Sequence, residues 1–193
     1  MTEAEQLSPM RYTYKASVAG SPQSFELGGQ GMSFHTGFRS GLWRYGDIVR
    51  IRLSYRPVSM LRHRFRADIR HRDGGTLKIV SATWAGIVAM VPQNDSYRAF
   101  IAELHRRVAA ERGRVEFTAG LHPIVFAMAV AVFAGIAFAI ATLVVRALLA
   151  GEVVAVLFFL AFAAWTGWYA GGWLMRNKPQ RYEPAHVPPQ LLP

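Results

Sequence analysis

The sequence predicts an α+β domain of about seven antiparallel strands closed by one amphipathic helix, followed by two transmembrane α-helices. Three observations predict it. Short apolar–polar alternations fill the first half of the chain, one stripe of helical period follows, and two uncharged apolar runs lie near the C-terminus.

The strands come first. Tyr12, Tyr14, Ala16 and Val18 alternate with Thr13, Lys15 and Ser17. Ser24 to Leu27 and Met32 to His35 read as two short strands around Gly28-Gly29-Gln30-Gly31. That glycine run lacks the Gly-Lys-Ser/Thr ending of a phosphate loop and no helix follows it, so it reads as a turn. A longer strand spans about Asp47 to Tyr55, with Ile48, Val49, Ile51, Leu53 and Tyr55 as apolar members and Pro57 as its end. The next runs from Met60 to about Arg72 and closes at Asp73-Gly74-Gly75, a hairpin signal. Thr76 to Val80 and Ile87 to Val91 complete the set.

The period then changes. Tyr97, Phe100, Ile101, Leu104 and Val108 form one apolar stripe on a helix. Asn94, Asp95 or Ser96 is placed to cap its start and Gly113 to stop it, while Arg98, Arg106 and Arg107 stay off the stripe. The sheet that precedes the helix is its nearest apolar partner.

Pro123 to Val145 and Val153 to Met175 contain no Asp, Glu, Lys or Arg. Each is about 23 residues, enough at ~1.5 Å per residue to cross a hydrocarbon core of ~30 Å with some tilt. Arg106, Arg107, Arg112 and Arg114 precede the first run; Arg176, Lys178 and Arg181 follow the second. Basic residues next to spans favour the cytoplasmic side. The expected location is therefore the inner (plasma) membrane, crossed twice, with both termini cytoplasmic. Met1 to Val18 holds no apolar stretch of signal-peptide type. Trp168, Tyr169 and Trp173 suit the headgroup level, and Trp165 lies deeper. Small residues recur every fourth position: Ala127, Ala131, Gly135 and Ala139 in the first span, Ala163, Gly167 and Gly171 in the second. Such spacing lets backbones approach closely. Ala131, Gly135, Gly167 and Gly171 are the candidate helix-packing residues, first of all between the hairpin's own helices.

The expected organisation is a flexible N-terminus over 1–10, a cytoplasmic domain over 11–112 and a linker over 113–122. Helices follow over 123–145 and 153–175 around an external connector at 146–152, then a Pro-rich cytoplasmic tail over 176–193. Prolines 179, 184, 188, 189 and 193 favour an extended tail.

The segment Gly41-Leu42-Trp43-Arg44-Tyr45-Gly46-Asp47-Ile48-Val49-Arg50-Ile51 resembles the aromatic-then-Asp-Ile pattern of bacterial pleckstrin-homology-like (PH-like) domains. Asp95-Ser96-Tyr97-Arg98-Ala99-Phe100 resembles the opening of their helix. The likeness covers Tyr12 to Glu111. It implies a binding module for lipids, peptides or other domains, often membrane-tethered, and it carries no binding residue to transfer.

Charge supplies the candidate site. The chain of 193 residues carries 22 Lys+Arg against 12 Asp+Glu, a net +10. Most of that excess precedes His122, so an anionic partner or surface is implied. Arg50, Arg52 and Arg56 share one parity, as do Arg62, Arg64, Arg66, Arg70 and Arg72. On paired strands they make one guanidinium-rich face, relieved only by Asp68. Like charges directly opposite destabilise a strand pair, and an anion over the face would offset that. Arg50, Arg52, Arg62, Arg64, Arg66 and Arg70 are the candidate anion- or lipid-binding residues. Six engaged arginines at ~1 kcal/mol each would give roughly 6 kcal/mol on an anionic bilayer at low salt. A solvated outer face and an acidic partner are the competing readings. Nucleic acid is disfavoured, because only Phe65 is interleaved among the arginines and base stacking needs exposed aromatics.

No catalytic constellation is visible. Histidines 35, 63, 71, 105, 122 and 186 are scattered, no serine sits in a Gly-x-Ser-x-Gly elbow, and cysteine is absent. The expected function is a non-enzymatic, membrane-anchored binding or scaffold module without cofactor or metal. Its basic sheet face would contact anionic inner-leaflet lipid or an acidic partner. The alternative is an accessory or regulatory subunit that packs through its hairpin against another membrane protein or a second copy.

Overall fold

A computed structural model describes residues 9–37, 39–56, 64–86, 89–111, 115–187 and 191–193. The chain is α+β, a sheet-rich N-terminal region followed by two long apolar helices. It divides into two units, Met1–Gly120 with Gln180–Pro193, and Leu121–Pro179.

In the first unit, strands β1 (Met10–Lys15), β2 (Pro22–Leu27), β3 (Met32–Thr36) and β4 (Arg39–Trp43) form an antiparallel sheet in chain order. Alternation sends Tyr12, Tyr14, Phe25, Leu27, Met32 and Phe34 inward. The β2–β3 connection is a turn, with the Gly28 amide donating to Gly31 O at 2.9 Å. A Cβ on Gly31 would lie 2.3 Å from Trp43 O, so only glycine fits beside β4.

The second sheet holds β5 (Ile48–Tyr55), β6 (Phe65–His71), β7 (Thr76–Val80), β10 (Glu116–Ala119) and β11 (Gln180–Arg181), in the order β11-β10-β5-β6-β7. Here β10 joins β5 in parallel and the other pairs are antiparallel. A register shift between Ile48 and Arg50 marks a bulge. It lets Ile48 be buried although Arg50, two residues on, faces outward. Strands β8 (Ala82–Ala85) and β9 (Ala89–Pro92) form a separate hairpin.

Helix α1 (Asn94–Ala110) buries Tyr97, Phe100, Ile101, Leu104 and Val108, as its period predicts. Five such side chains at ~2 kcal/mol each contribute roughly 10 kcal/mol of gross burial, an upper bound. Packing rather than propensity therefore sets this helix. Its N-cap is Gln93, with no side-chain cap bond, not Asn94, Asp95 or Ser96. The expected stop, Gly113, lies outside the described residues.

Four strands escape the sequence pattern: β4, β8, β10 and β11. The expected strand Met60–Arg72 is described only from Arg64, and Ile87 and Val88 also lie outside the described residues. The tail differs as well. Gln180 pairs with Ala119 and Arg181 with Thr118, and Leu191 is buried.

In the second unit, α2 (Pro123–Leu149) and α3 (Val153–Arg176) are long and apolar enough to cross a membrane. Only 6% and 11% of their most apolar windows are buried. Their hydroxyls fold back onto their own helices, Thr142 donating to Phe138 O at 3.0 Å and Thr166 to Phe162 O at 2.7 Å. The connector is shorter than expected. Arg146 stays helical, its carbonyl accepting from the Ala150 amide at 3.0 Å, and Gly151 at φ +73° makes the turn.

Candidate functional site: a basic sheet face and cleft

Pairing in the second sheet decides where the arginines meet. Cα register sets Arg50 opposite Arg70, Arg52 opposite Asp68 and Ser54 opposite Arg66, with Lys78 on the other side of Asp68. Their neighbours Ile51, Leu53, Ala67 and Ile69 are fully buried, so Arg50, Arg52, Arg66, Asp68 and Arg70 face outward together, while Ser54 at the end of the same row is buried. The ladder runs on past β5, since the Arg56 amide donates to Arg64 O at 2.8 Å. Arg50, Arg52, Arg64, Arg66 and Arg70 thus share one face. Arg62 lies outside the described residues.

Two carboxylates relieve this face, not Asp68 alone. Arg66 Nε donates to Asp68 Oδ1 at 2.7 Å. Glu116, on the parallel strand β10, accepts from Arg50 Nε at 2.8 Å and lies 3.4 Å from Arg181. The Arg50 hydrogen bond holds the Glu116 carboxyl below its ordinary range. Arg52, Arg56 and Arg70 make no ion pair among the described residues. Burial, followed by the charge of Arg50, lowers the Arg52 pKa; burial, followed by Arg66, does the same for Arg56 and Arg64. These guanidiniums stay charged but sit in a field that a passing anion would relieve.

A cleft of about 340 Å³ opens where the two sheets meet. Strand β7 is an edge strand, and tyrosines of β1 cover its free carbonyls. Tyr12 donates to Val80 O at 2.6 Å and Tyr14 to Lys78 O, with Gln23 Oε1 2.8 Å from the same Tyr14 hydroxyl. Arg64, Arg66 and Lys78 line one wall, and Arg39 joins them from the β3–β4 hairpin. Thr36, Thr76 and Gln23 add neutral polar groups, and no carboxylate lines the cleft among the described residues. Burial pushes the Tyr14 hydroxyl up, so it stays a donor at neutral pH.

Two further clusters are structural. Arg107, off the apolar stripe of α1, is buried. Its Nη1 donates to Leu27 O at 3.0 Å and Gly28 O at 2.7 Å and lies 3.3 Å from the Tyr45 hydroxyl; its Nε donates to Glu103 at 2.5 Å. Burial alone would lower its pKa, but the bonds to Glu103 and Tyr45 raise it. The segment resembling PH-like domains belongs to this junction. Tyr45 donates to Gly28 O at 2.7 Å, Trp43 stacks on His71 at 4.8 Å, and Asp47 accepts from Arg72 at 2.8 Å. Elsewhere the tail docks through Tyr182, whose hydroxyl lies 2.8 Å from His105 Nε2.

Within the hairpin the candidate packing glycines have open space around them. A Cβ on Gly135, Gly167 or Gly171 would meet nothing within 4 Å, and Ala131 is exposed. Burial instead recurs at Phe126, Ala129, Phe133, Ile140, Val144 and Ala147 of α2. On α3 no residue is buried; Val156, Phe159, Ala163, Thr166, Ala170 and Trp173 are half-buried, as are Ala155, Gly171 and Leu174 beside them. This alternating three–four spacing is a coiled-coil-like seam, with Phe133 edge-on to Trp173 at 6.3 Å. Larger side chains bury more area along that seam than the glycine faces would.

No family model matches the chain, and no curated protein or solved structure matches it either.

Proposed function

We propose that this chain is a non-enzymatic, membrane-anchored binding module of the PH-like kind, whose arginine-rich face contacts anionic lipid of the inner leaflet. The carrying observation is the face itself, where Arg52, Arg56 and Arg70 stand beside paired arginines without a carboxylate of their own. The four-stranded sheet, the three antiparallel strands β5–β7 and the helix after them support the PH-like reading; the β8–β9 hairpin and parallel β10 depart from it. Helices α2 and α3 supply the anchor, and the basic flanks on both sides of the pair favour cytoplasmic termini. Engagement of Arg52, Arg56 and Arg70 contributes about 3 kcal/mol at low salt; of the six arginines in the sequence-based figure, Arg50 and Arg66 already hold partners, Arg62 lies outside the described residues and Arg64 lines the cleft, while Arg56 joins the set.

The chain has no cysteine, so Thr76→Cys on the same face gives a unique label site in the full chain. Energy transfer from a dye there to a headgroup dye is expected to rise in anionic over neutral nanodiscs. It should fall back at high salt and in an Arg52→Gln/Arg70→Gln variant. Equal transfer in neutral and anionic discs would refute the lipid reading and leave an acidic protein as the partner of the face.

One observation favours a second reading. Ala131, Gly135 and Gly167 are exposed, so the close-packing faces of the hairpin are open to another membrane helix. An accessory subunit of a membrane complex would use them.

A further inference from the structure

We infer that the cleft between β1–β4 and the edge strand β7 is a site for one compact anion bearing two or more phosphate groups. Its charge, size and hydrogen-bonding groups all point to that chemistry. Arg39, Arg64, Arg66 and Lys78 come from three separate stretches of chain and converge on about 340 Å³, with no carboxylate among the described lining residues. The nearest acid, Asp68, is taken by Arg66 Nε and Nη2, both on Oδ1. Arg39 and Lys78 make no ion pair among the described residues. Arg64 Nε is buried without a hydrogen-bond partner, an arrangement that costs free energy until an acceptor arrives. Arg39 Nη2 lies 3.9 Å from where a Cβ on Gly75 would stand, so its guanidinium lies over the β6–β7 turn.

Size and charge density then choose the ligand class. A carboxylate brings one charge and an acidic helix is too wide for the space. A diphosphate or a phosphate monoester cluster brings three or four charges in a small volume. Guanidiniums match phosphate oxygens in pairs, and lysine adds a point charge. Thr76 adds a hydroxyl to the lining, while the Thr36 hydroxyl donates to Arg39 O at 3.3 Å. Such a ligand can be a soluble phosphate ester or the headgroup of a phosphorylated lipid, and the chemistry recognised is the same. The cleft adjoins the face that carries Arg52, Arg56 and Arg70 but is lined by none of those three, so variants of Arg52 and Arg70 test the lipid contact and variants of Arg39 and Arg64 test the cleft.

The test uses the full chain in nanodiscs of neutral phosphatidylcholine, titrated calorimetrically with pyrophosphate and with orthophosphate. One saturable pyrophosphate site is expected, with orthophosphate at least about tenfold weaker, the effect of one charge-assisted bond pair. Arg39→Gln and Arg64→Gln should each weaken pyrophosphate by about tenfold or more, while Arg52→Gln/Arg70→Gln leaves it within about twofold. Circular dichroism of each variant checks that it is folded. Absence of a saturable site, or equal losses in the cleft and face variants, would overturn the proposal. A separate titration in discs that also carry diacylglycerol pyrophosphate, a lipid with two phosphates, separates the sources: competition with pyrophosphate identifies a lipid headgroup as the ligand, and unchanged affinity identifies a soluble one. Because these discs carry no anionic lipid, the outcome does not depend on whether the outer face meets a bilayer.

Discussion

Replacing Arg107 by leucine should unfasten the junction between α1 and the β2–β3 turn. The variant keeps an apolar stem in the same space and removes only the guanidinium. Glu103 keeps Arg106, whose Nε and Nη2 donate to it at 2.8 and 2.7 Å, and Gly28 O keeps the Tyr45 hydroxyl at 2.7 Å. The Leu27 carbonyl loses its charged donor in a site where Leu27 itself is fully buried. Stripping a buried acceptor of its partner costs roughly 1–3 kcal/mol, and losing the charge-assisted bond to Gly28 O adds a similar increment. A net loss of about 3 kcal/mol follows, or on the order of a hundredfold in an opening equilibrium. Amide hydrogen exchange of the full chain in micelles reads this directly, because the Gly28 amide is fixed by its bond to Gly31 O. Arg107→Lys should fall between wild type and Arg107→Leu, since one ammonium cannot bridge two carbonyls and a carboxylate. Gly28 exchange in Arg107→Leu within about threefold of wild type would refute the reasoning.

Acid should loosen the first unit in two stages. His105 is buried, which lowers its pKa below 6.5; the unfolded chain takes up that proton first, so its contribution is lost as pH falls below 6.5. Hydrogen bonds, first from Arg106, hold Glu103 at about 2 against an ordinary 4.5, so its contribution is present above 4.5 and disappears between 4.5 and about 2. A melting curve against pH should therefore lose its upper step in His105→Gln and keep its lower one; an unchanged upper step counts against the His105 assignment. Gly167→Ile should leave the hairpin folded, since nothing lies within 4 Å of its Cβ, yet abolish capture of a membrane partner in crosslinking if the outward face is used. Crosslinks that persist unchanged would sink the accessory-subunit reading.

What could be read from sequence was whatever repeats within a few residues. The Asp73-Gly74-Gly75 signal and the alternation after it locate β7 at Thr76–Val80 to the residue. The α1 stripe and the outward parity of Arg50, Arg52, Arg66 and Arg70 were legible for the same reason. Non-local pairing was not. β4 is exposed at every position but Trp43 and so shows no alternation. β10 has only four residues and enters the sheet in parallel, so nothing local ties Glu116 to Arg50. β11 sits in a proline-rich tail and exists only because β10 offers it an edge. Arg107 stands off the apolar stripe of α1, and the acceptors that bury it, Leu27 and Gly28, are far away in sequence. Ile48 and Arg50 share a parity, and only the bulge between them explains how one is buried and the other is not.

Magnitude decides how the arginine face can work. About 3 kcal/mol from three arginines falls short of the ~4 kcal/mol that corresponds to a millimolar complex. A freely diffusing domain with this face would scarcely hold a bilayer. A tether changes the arithmetic, because binding becomes intramolecular and its effective concentration is set by the linker. Here the chain passes from Ala119 to Pro123 through Gly120, Leu121 and His122 alone, and returns from Arg176 to Gln180 through Asn177, Lys178 and Pro179. The hairpin is thus bracketed by β10 and β11, strands of the same sheet that carries Arg52 and Arg70. On the proposed function α2 and α3 do the anchoring, so the arginines need only bias the domain's posture, and a weak, salt-sensitive contact suits that task. The consequence can be measured by removing the tether. With residues 121–179 replaced by a short Gly/Ser loop, the first unit should lose sedimentation with anionic vesicles at physiological salt, while the full chain should still show the energy transfer proposed above. Tight sedimentation of the untethered unit would mean that the face binds more strongly than three exposed arginines can account for.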